Sequence, residues 1–83
     1  MKVHVKYFAS IREAVGQGSE AFETNARTVG ALRDELLARG GAHAHALARG
    51  KAVRVALDQA MAGDDAELRE GCEIAFFPPV TGG

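Results

Sequence analysis

With Cys72 as its single cysteine, the chain has no means of closing an internal disulfide. Nor is there a surplus of positive charge: 10 Lys and Arg stand against 11 Asp and Glu, for a formal net charge of -1. The cations are scattered, so no basic stripe follows a phosphate backbone, and nucleic acid is not an expected partner. No long apolar run is present either. The opening MKVHVKYF is interrupted too often for a signal peptide or a membrane span, so no membrane partner is expected and the cytoplasm is the expected address. The sequence also lacks a G-x-x-x-x-G-K-[ST] loop and a G-x-G-x-x-G turn after a strand, which leaves it without a nucleotide-handling motif of its own. His43 and His45, two positions apart on a helical segment, point about 200° away from each other. No cysteine or acid stands at a suitable spacing from them, so no metal ligand set is predicted.

What is present suits one small packed unit. The chain has 83 residues, 47% of them hydrophobic and 25% charged. A chain of this size buries only about 60% of its unfolded surface, so a single domain over 1–83 with one core is expected. In KVHVKYF, Val3, Val5 and Tyr7 alternate with Lys2, His4 and Lys6, which predicts a strand over 2–8 with one buried face. Ser10 and Glu13 have the spacing of a capping box for a short helix over 10–15 that stops at Gly16. SEAFET, with Phe22 its only large apolar residue, reads as an edge strand. Thr28 then caps the main helix, whose Val29, Leu32, Leu36 and Leu37 share one face up to Gly40 and Gly41. AHAHALARG supplies another turn or two of helix, AVRVAL a strand, GDDAELREG a loop, and CEIAFF a last strand with Cys72, Ile74 and Phe76 on one face. One amphipathic helix covers one face of a small sheet, so the fold class is α+β. The ubiquitin-like β-grasp has this element order: a mixed sheet, the first and last strands parallel at its centre, and one main helix packed across one face.

The chain closes on FFPPVTGG. Pro78 and Pro79 have no backbone N–H and bias their predecessors toward extended conformations, so the strand ladder ends there and 78–83 is expected to protrude as a flexible tail. From Val80 to Gly83 the extended reach is roughly 13 Å, enough to carry the terminal carboxylate into another protein. Gly82 and Gly83 present no Cβ, which suits a backbone threading a narrow passage. Such delivery makes chemical sense if the carboxylate reacts, and acyl chemistry at a carboxylate needs prior activation by a partner that handles ATP. A frayed terminus is the plain alternative.

FFPPVTGG, together with KVHVKYFASIRE, TVGALRDEL, GKAVRVALDQ and GCEIAFFPPVTGG, resembles the small, sulfur-carrying subunit of molybdopterin synthase, in the MoaD/ThiS family, along the length of the chain. The resemblance implies that a ubiquitin-activating-like adenylyltransferase adenylates the Gly83 carboxylate, using ATP, and that sulfur then converts it to a thiocarboxylate. It implies next that the tail enters the large catalytic subunit, in a heterotetramer, and gives sulfur to cyclic pyranopterin monophosphate in molybdenum cofactor biosynthesis. On this reading the chain is not an enzyme by itself and holds no permanent cofactor. One departure stands at Leu57-Asp58-Gln59, where relatives read V-N-Q.

Strand parity places Phe8 with Lys6 and Phe77 with Glu73, both away from the core, so two aromatics sit together outside if those strands are neighbours. An exposed apolar patch of this kind marks a partner surface. The resemblance implies docking through Phe8 and Phe77 beside the tail residues Pro78, Pro79, Val80 and Thr81, with Met61 matching a further patch position. The parity of Cys72 makes it a small core residue rather than a sulfur relay. The Lys and Arg residues are expected to form a solvated surface, with Arg12 the one available near the tail. Three other functions share the Gly-Gly end or the fold: the sulfur carrier of thiamin thiazole synthesis, a ubiquitin-like modifier joined to target lysines, and a regulatory β-grasp domain with an inert tail.

Overall fold

The computed structural model of the chain describes residues 1–79, so the expected tail beyond Pro79 lies outside the described residues. The elements are β1 (Lys2–Tyr7), α1 (Ala9–Val15), β2 (Ser19–Glu23), α2 (Val29–Ala38), α3 (Gly41–Ala46), β3 (Arg54–Leu57), β4 (Ala60–Ala62) and β5 (Glu73–Phe77). The strands form one mixed sheet in the order β2-β1-β5-β3-β4. The first and last strands run parallel, with Val5 opposite Ile74 and Tyr7 opposite Phe76, and every other pairing is antiparallel. This is the β-grasp arrangement, with α2 laid across one face.

The alternation of KVHVKY decides which face is buried. Val3, Val5 and Tyr7 go inward, where they meet Ile74 and Phe76 of β5, Val55 of β3 and the Val29, Leu32 and Leu36 stripe of α2. The rings of Tyr7 and Phe76 stack with centroids 6.2 Å apart. Cys72 belongs to this core and is a free thiol. Thr28 caps α2 as its sequence position predicts, accepting the N–H of Ala31 at 3.2 Å.

Three expectations are corrected. The first concerns Ser10, which lies inside the first turn of α1 and does not cap it. Phe8 occupies the N-cap with no side-chain bond, and its carbonyl accepts the N–H groups of Ile11 and Arg12. Pairing overrides the local signal here: Phe8 N–H donates to Phe76 O at 3.1 Å, which carries the sheet one residue past β1, and Ala9 turns the chain at φ 52°.

The second correction is a missing hairpin. Leu57 pairs with Ala60, so β3 and β4 are joined by the two-residue loop Asp58-Gln59, with φ values of 49° and 71°. Positive φ at both positions is the type I′ hairpin turn, which favours Asn-Gly or Asp-Gly. Asp58 suits it, and its Oδ1 also accepts the N–H of Glu73 at 2.9 Å. An asparagine, as the resemblance implies for relatives at this position, would suit this backbone equally well. Gln59 has no such suitability. Gln59→Gly is therefore expected to raise stability by about 0.5–1 kcal/mol, read as a higher urea midpoint with an unchanged slope.

The third correction is Arg33, which is buried rather than solvated. Its Nε and Nη2 donate to the carbonyls of Leu47 and Ala48, each at 2.8 Å, and satisfy the chain where α3 ends.

Candidate functional site

Because α1, α2 and α3 all lie on the inward side of the sheet, the outward face is uncovered, and strand register fixes what it presents. One row across the sheet runs Lys6, Ala75, Ala56 and Met61, from the pairings of β1 with β5, β5 with β3, and β3 with β4. In the next row Arg54 stands opposite Phe77. One step beyond the Tyr7–Phe76 pair, Phe8 comes level with Phe77 on its other side. Phe8 is 47% exposed and Met61 62%, unusual values for large apolar side chains, while Phe77 is half-buried. Register thus places Phe8, Phe77 and Met61 on the same face of the sheet, with Ala56 and Ala75 in the row between Met61 and β1. A solvated apolar area of this kind is the usual mark of a protein-docking surface.

Pro78 follows Phe77 directly, so the patch adjoins the root of the tail. Pro78 and Pro79 are half-buried and outside the ladder. Pro78 also lines a shallow groove with Ser10 and Ala14 of α1, His45 of α3, Lys51 and Val53. Val80, Thr81, Gly82 and Gly83 lie outside the described residues. Arg12 lines a different surface, the turn between α1 and β2 with Glu13 and Gln17, away from the residues around Pro78.

Behind the patch, on the inward side of β1, is a polar cluster that the sequence did not announce. Glu20 of β2 shares the inward parity of Phe22, and its side chain is only 14% exposed. Its carboxylate accepts from Tyr7 Oη, Arg39 Nη1 and His43 Nε2, each at 2.8 Å. His43 also sets its ring edge-on to Tyr7 with centroids 5.9 Å apart. Burial opposes the charged form of Glu20, but the hydrogen bonds from Arg39, His43 and Tyr7 outweigh it and hold the carboxyl below its ordinary value of 4.5. Burial, reinforced by the hydrogen bond and negative charge of Glu20, pushes the Tyr7 hydroxyl upward. The cluster ties the edge strand β2 to β1 and to the α2–α3 junction, and so holds the strand that leads into Phe8.

Since the carboxyl of Glu20 is depressed in the folded chain, its contribution to stability is complete above 4.5 and is lost as pH falls through the lowered folded value. Glu20→Gln is expected to cost about 2 kcal/mol at neutral pH and to flatten the decline on the acid side, measured by urea unfolding at neutral and acid pH.

The chain is similar to known proteins in both sequence and fold. The model of the ThiS family matches residues 5–83. The chain is 41% identical over 81 residues to the molybdopterin synthase sulfur carrier subunit of Escherichia coli strain K12, covering 98% of this chain and 99% of that one. It is 40% identical over 81 residues, with the same coverage, to the subunit of the same name from Haemophilus influenzae. Among solved structures, it superposes on SAMP1 from Haloferax volcanii with a TM-score of 0.79 at 27% identity, covering both chains in full. It also superposes on a chain of the complex of subunits 1 and 2 of molybdopterin-converting factor from Helicobacter pylori, with a TM-score of 0.68 at 25% identity, again over the whole of both chains.

Proposed function

We propose that this chain, which belongs to the ThiS family, is the sulfur-carrier subunit of a molybdopterin synthase, a non-catalytic donor that works inside a partner's active site. The observation that carries the reading is the adjacency of the Phe8–Phe77–Met61 patch to the point where Pro78 and Pro79 end the sheet: a docking surface is set beside the start of a segment ending in Gly82-Gly83. On this reading the patch, with Pro78, Pro79, Val80 and Thr81, seats the chain, and Gly82 threads.

The reacting group is the carboxylate of Gly83. A ubiquitin-activating-like adenylyltransferase joins it to AMP from ATP, releasing pyrophosphate. A sulfur donor then displaces AMP to leave the thiocarboxylate. In the large subunit, the thiocarboxylate sulfur attacks cyclic pyranopterin monophosphate, and water cleaves the resulting thioester, leaving sulfur on the pterin toward the dithiolene that binds molybdenum and returning the carboxylate. The chain itself needs only to fold, dock and deliver, so it holds no permanent cofactor. The complex in Helicobacter pylori joins subunits 1 and 2, which supports a two-subunit assembly, here a heterotetramer. Among the described residues no helix is long and apolar enough to cross a membrane; the proposed place of work is the cytoplasm.

A second reading has a specific observation in its favour, the likeness to SAMP1, a small archaeal modifier protein. A modifier would form isopeptide bonds to target lysines. Reconstitution with the activating enzyme, ATP, a sulfur source and the large subunit separates the two. Sulfur transfer to the pterin supports the carrier, and lysine conjugates without sulfur transfer support the modifier.

A further inference from the structure

The root of the tail has cations on two sides. On the outward face Arg54 stands opposite Phe77, is exposed, and makes no ion pair with any described residue. On the helical side Lys51 shares the Pro78 groove with His45, its Nζ 3.4 Å from His45 Nε2. Among the described residues, the rest of that groove is lined by Ser10, Ile11, Ala14, Ala46, Ala52 and Val53, with no carboxylate.

The other end of β5 differs. There Lys6 Nζ pairs with Glu73 Oε1 at 3.2 Å, so the cation on that part of the face is compensated, and the carboxylate of Asp58 stands beside it on the Glu73 N–H. Four residue steps separate Glu73 from Phe77, about 13 Å along the strand, more than a Debye length at physiological salt. Lys2, the other exposed cation of the outward face, lies at the far end of β1 with Glu23 of β2 opposite it in register, so the outward cation nearest the tail root, and the one with no carboxylate opposite it, is Arg54.

We infer that Arg54 and Lys51 form a cationic collar around the tail root, and that it recognises an acidic rim around the opening through which the large synthase subunit receives the tail. The inference rests on the sulfur-carrier reading and adds the chemistry of the partner's surface. Docking of the Phe8–Phe77–Met61 patch brings Arg54 to the edge of a desolvated interface. A cation there is unfavourable unless a carboxylate faces it. Lys51, on the other side of Pro78, extends the same requirement around the tail. Charges at such a rim act mainly by steering the approach, so their removal shows in the association rate and its salt dependence. Steering also orients the chain, since a collar centred on the tail root brings the tail to the opening first.

The test measures association of the full chain with the large synthase subunit from the same genome by stopped-flow fluorescence across a salt series. Arg54→Glu/Lys51→Glu is compared with Lys2→Glu/Arg69→Glu, an equal change in net charge at the opposite end of the sheet. All four side chains are exposed, and circular dichroism confirms that both variants fold. At low salt the collar variant is expected to associate about tenfold more slowly and to lose the acceleration the unaltered chain shows as salt is lowered, while the distal variant stays within about twofold. Equal slowing of both variants, or an unchanged rate for the collar variant, would overturn the collar and leave the sulfur-carrier reading standing. Failure of the unaltered chain to bind the large subunit would overturn both.

Discussion

A chain lacking Gly83 is expected to fold normally and to deliver no sulfur. The deletion moves the terminal carboxylate back by roughly 3.5 Å, and acyl transfer demands near-contact placement of the reacting carbon in both the adenylation site and the large subunit. No residue of the core is touched, because the buried cluster ends at Phe76. Adding an alanine after Gly83 is expected to be as severe, since it shifts the carboxylate forward and puts a side chain where a bare backbone has to pass. Pterin conversion in a reconstituted synthase reads both variants. Thermal unfolding shows that neither effect comes from a lost fold. A shortened chain that still supplied sulfur at the normal rate would leave Gly83 without its role and favour an inert tail.

Phe77→Asp is the second large effect expected. Phe77 is half-buried, on the outward face, opposite Arg54 and level with Phe8. An aspartate there meets water on that face in the free protein, and Arg54 is close enough along the register to offset part of its charge. The fold is therefore expected to persist with a modest loss of stability. In the complex the same carboxylate would be buried against an apolar surface, and affinity for the large subunit is expected to fall by about a hundredfold or more. Phe76→Asp is the contrasting variant. Phe76 is fully buried and stacked on Tyr7, so that substitution should unfold the chain. If Phe77→Asp unfolded it too, the outward face would not be the docking face.

The two central strands were legible because period-2 alternation is a direct consequence of one buried face. Val3, Val5 and Tyr7, and later Ile74 and Phe76, all went where parity placed them. The same parity put Phe8 and Phe77 outside. Met61 is legible only through the resemblance, because the sequence does not announce β4: its turn, Asp58-Gln59, carries neither the glycine nor the asparagine by which such a hairpin is recognised. Once register is known, Met61 falls on the outward face beside Ala56.

Arg33 was missed for a different reason. It lies four residues after Val29, on the buried stripe of α2, so its position signalled burial while its charge signalled water. Two carbonyls near the end of α3 resolved the conflict, and helix periodicity reveals no partners that far along the chain. The start of α1 was misread because Ser10 and Glu13 have capping-box spacing, yet the β1–β5 ladder extends to Phe8 and sets the helix start one residue early. Glu20 was legible in parity, which it shares with Phe22, but its partners come from β1, α3 and the end of α2. Long-range assembly of that kind leaves no local pattern.

The central claim is that sulfur is carried at the end of this chain, and intact mass spectrometry with fragmentation tests it most directly. After incubation with the activating enzyme, ATP and a sulfur donor, the account predicts a mass gain equal to one sulfur replacing one oxygen, located by fragmentation at Gly83. It also predicts that the gain disappears when the large subunit and pterin substrate are added. Sulfur found instead on Cys72, or a chain whose mass never changes under these conditions, would contradict it.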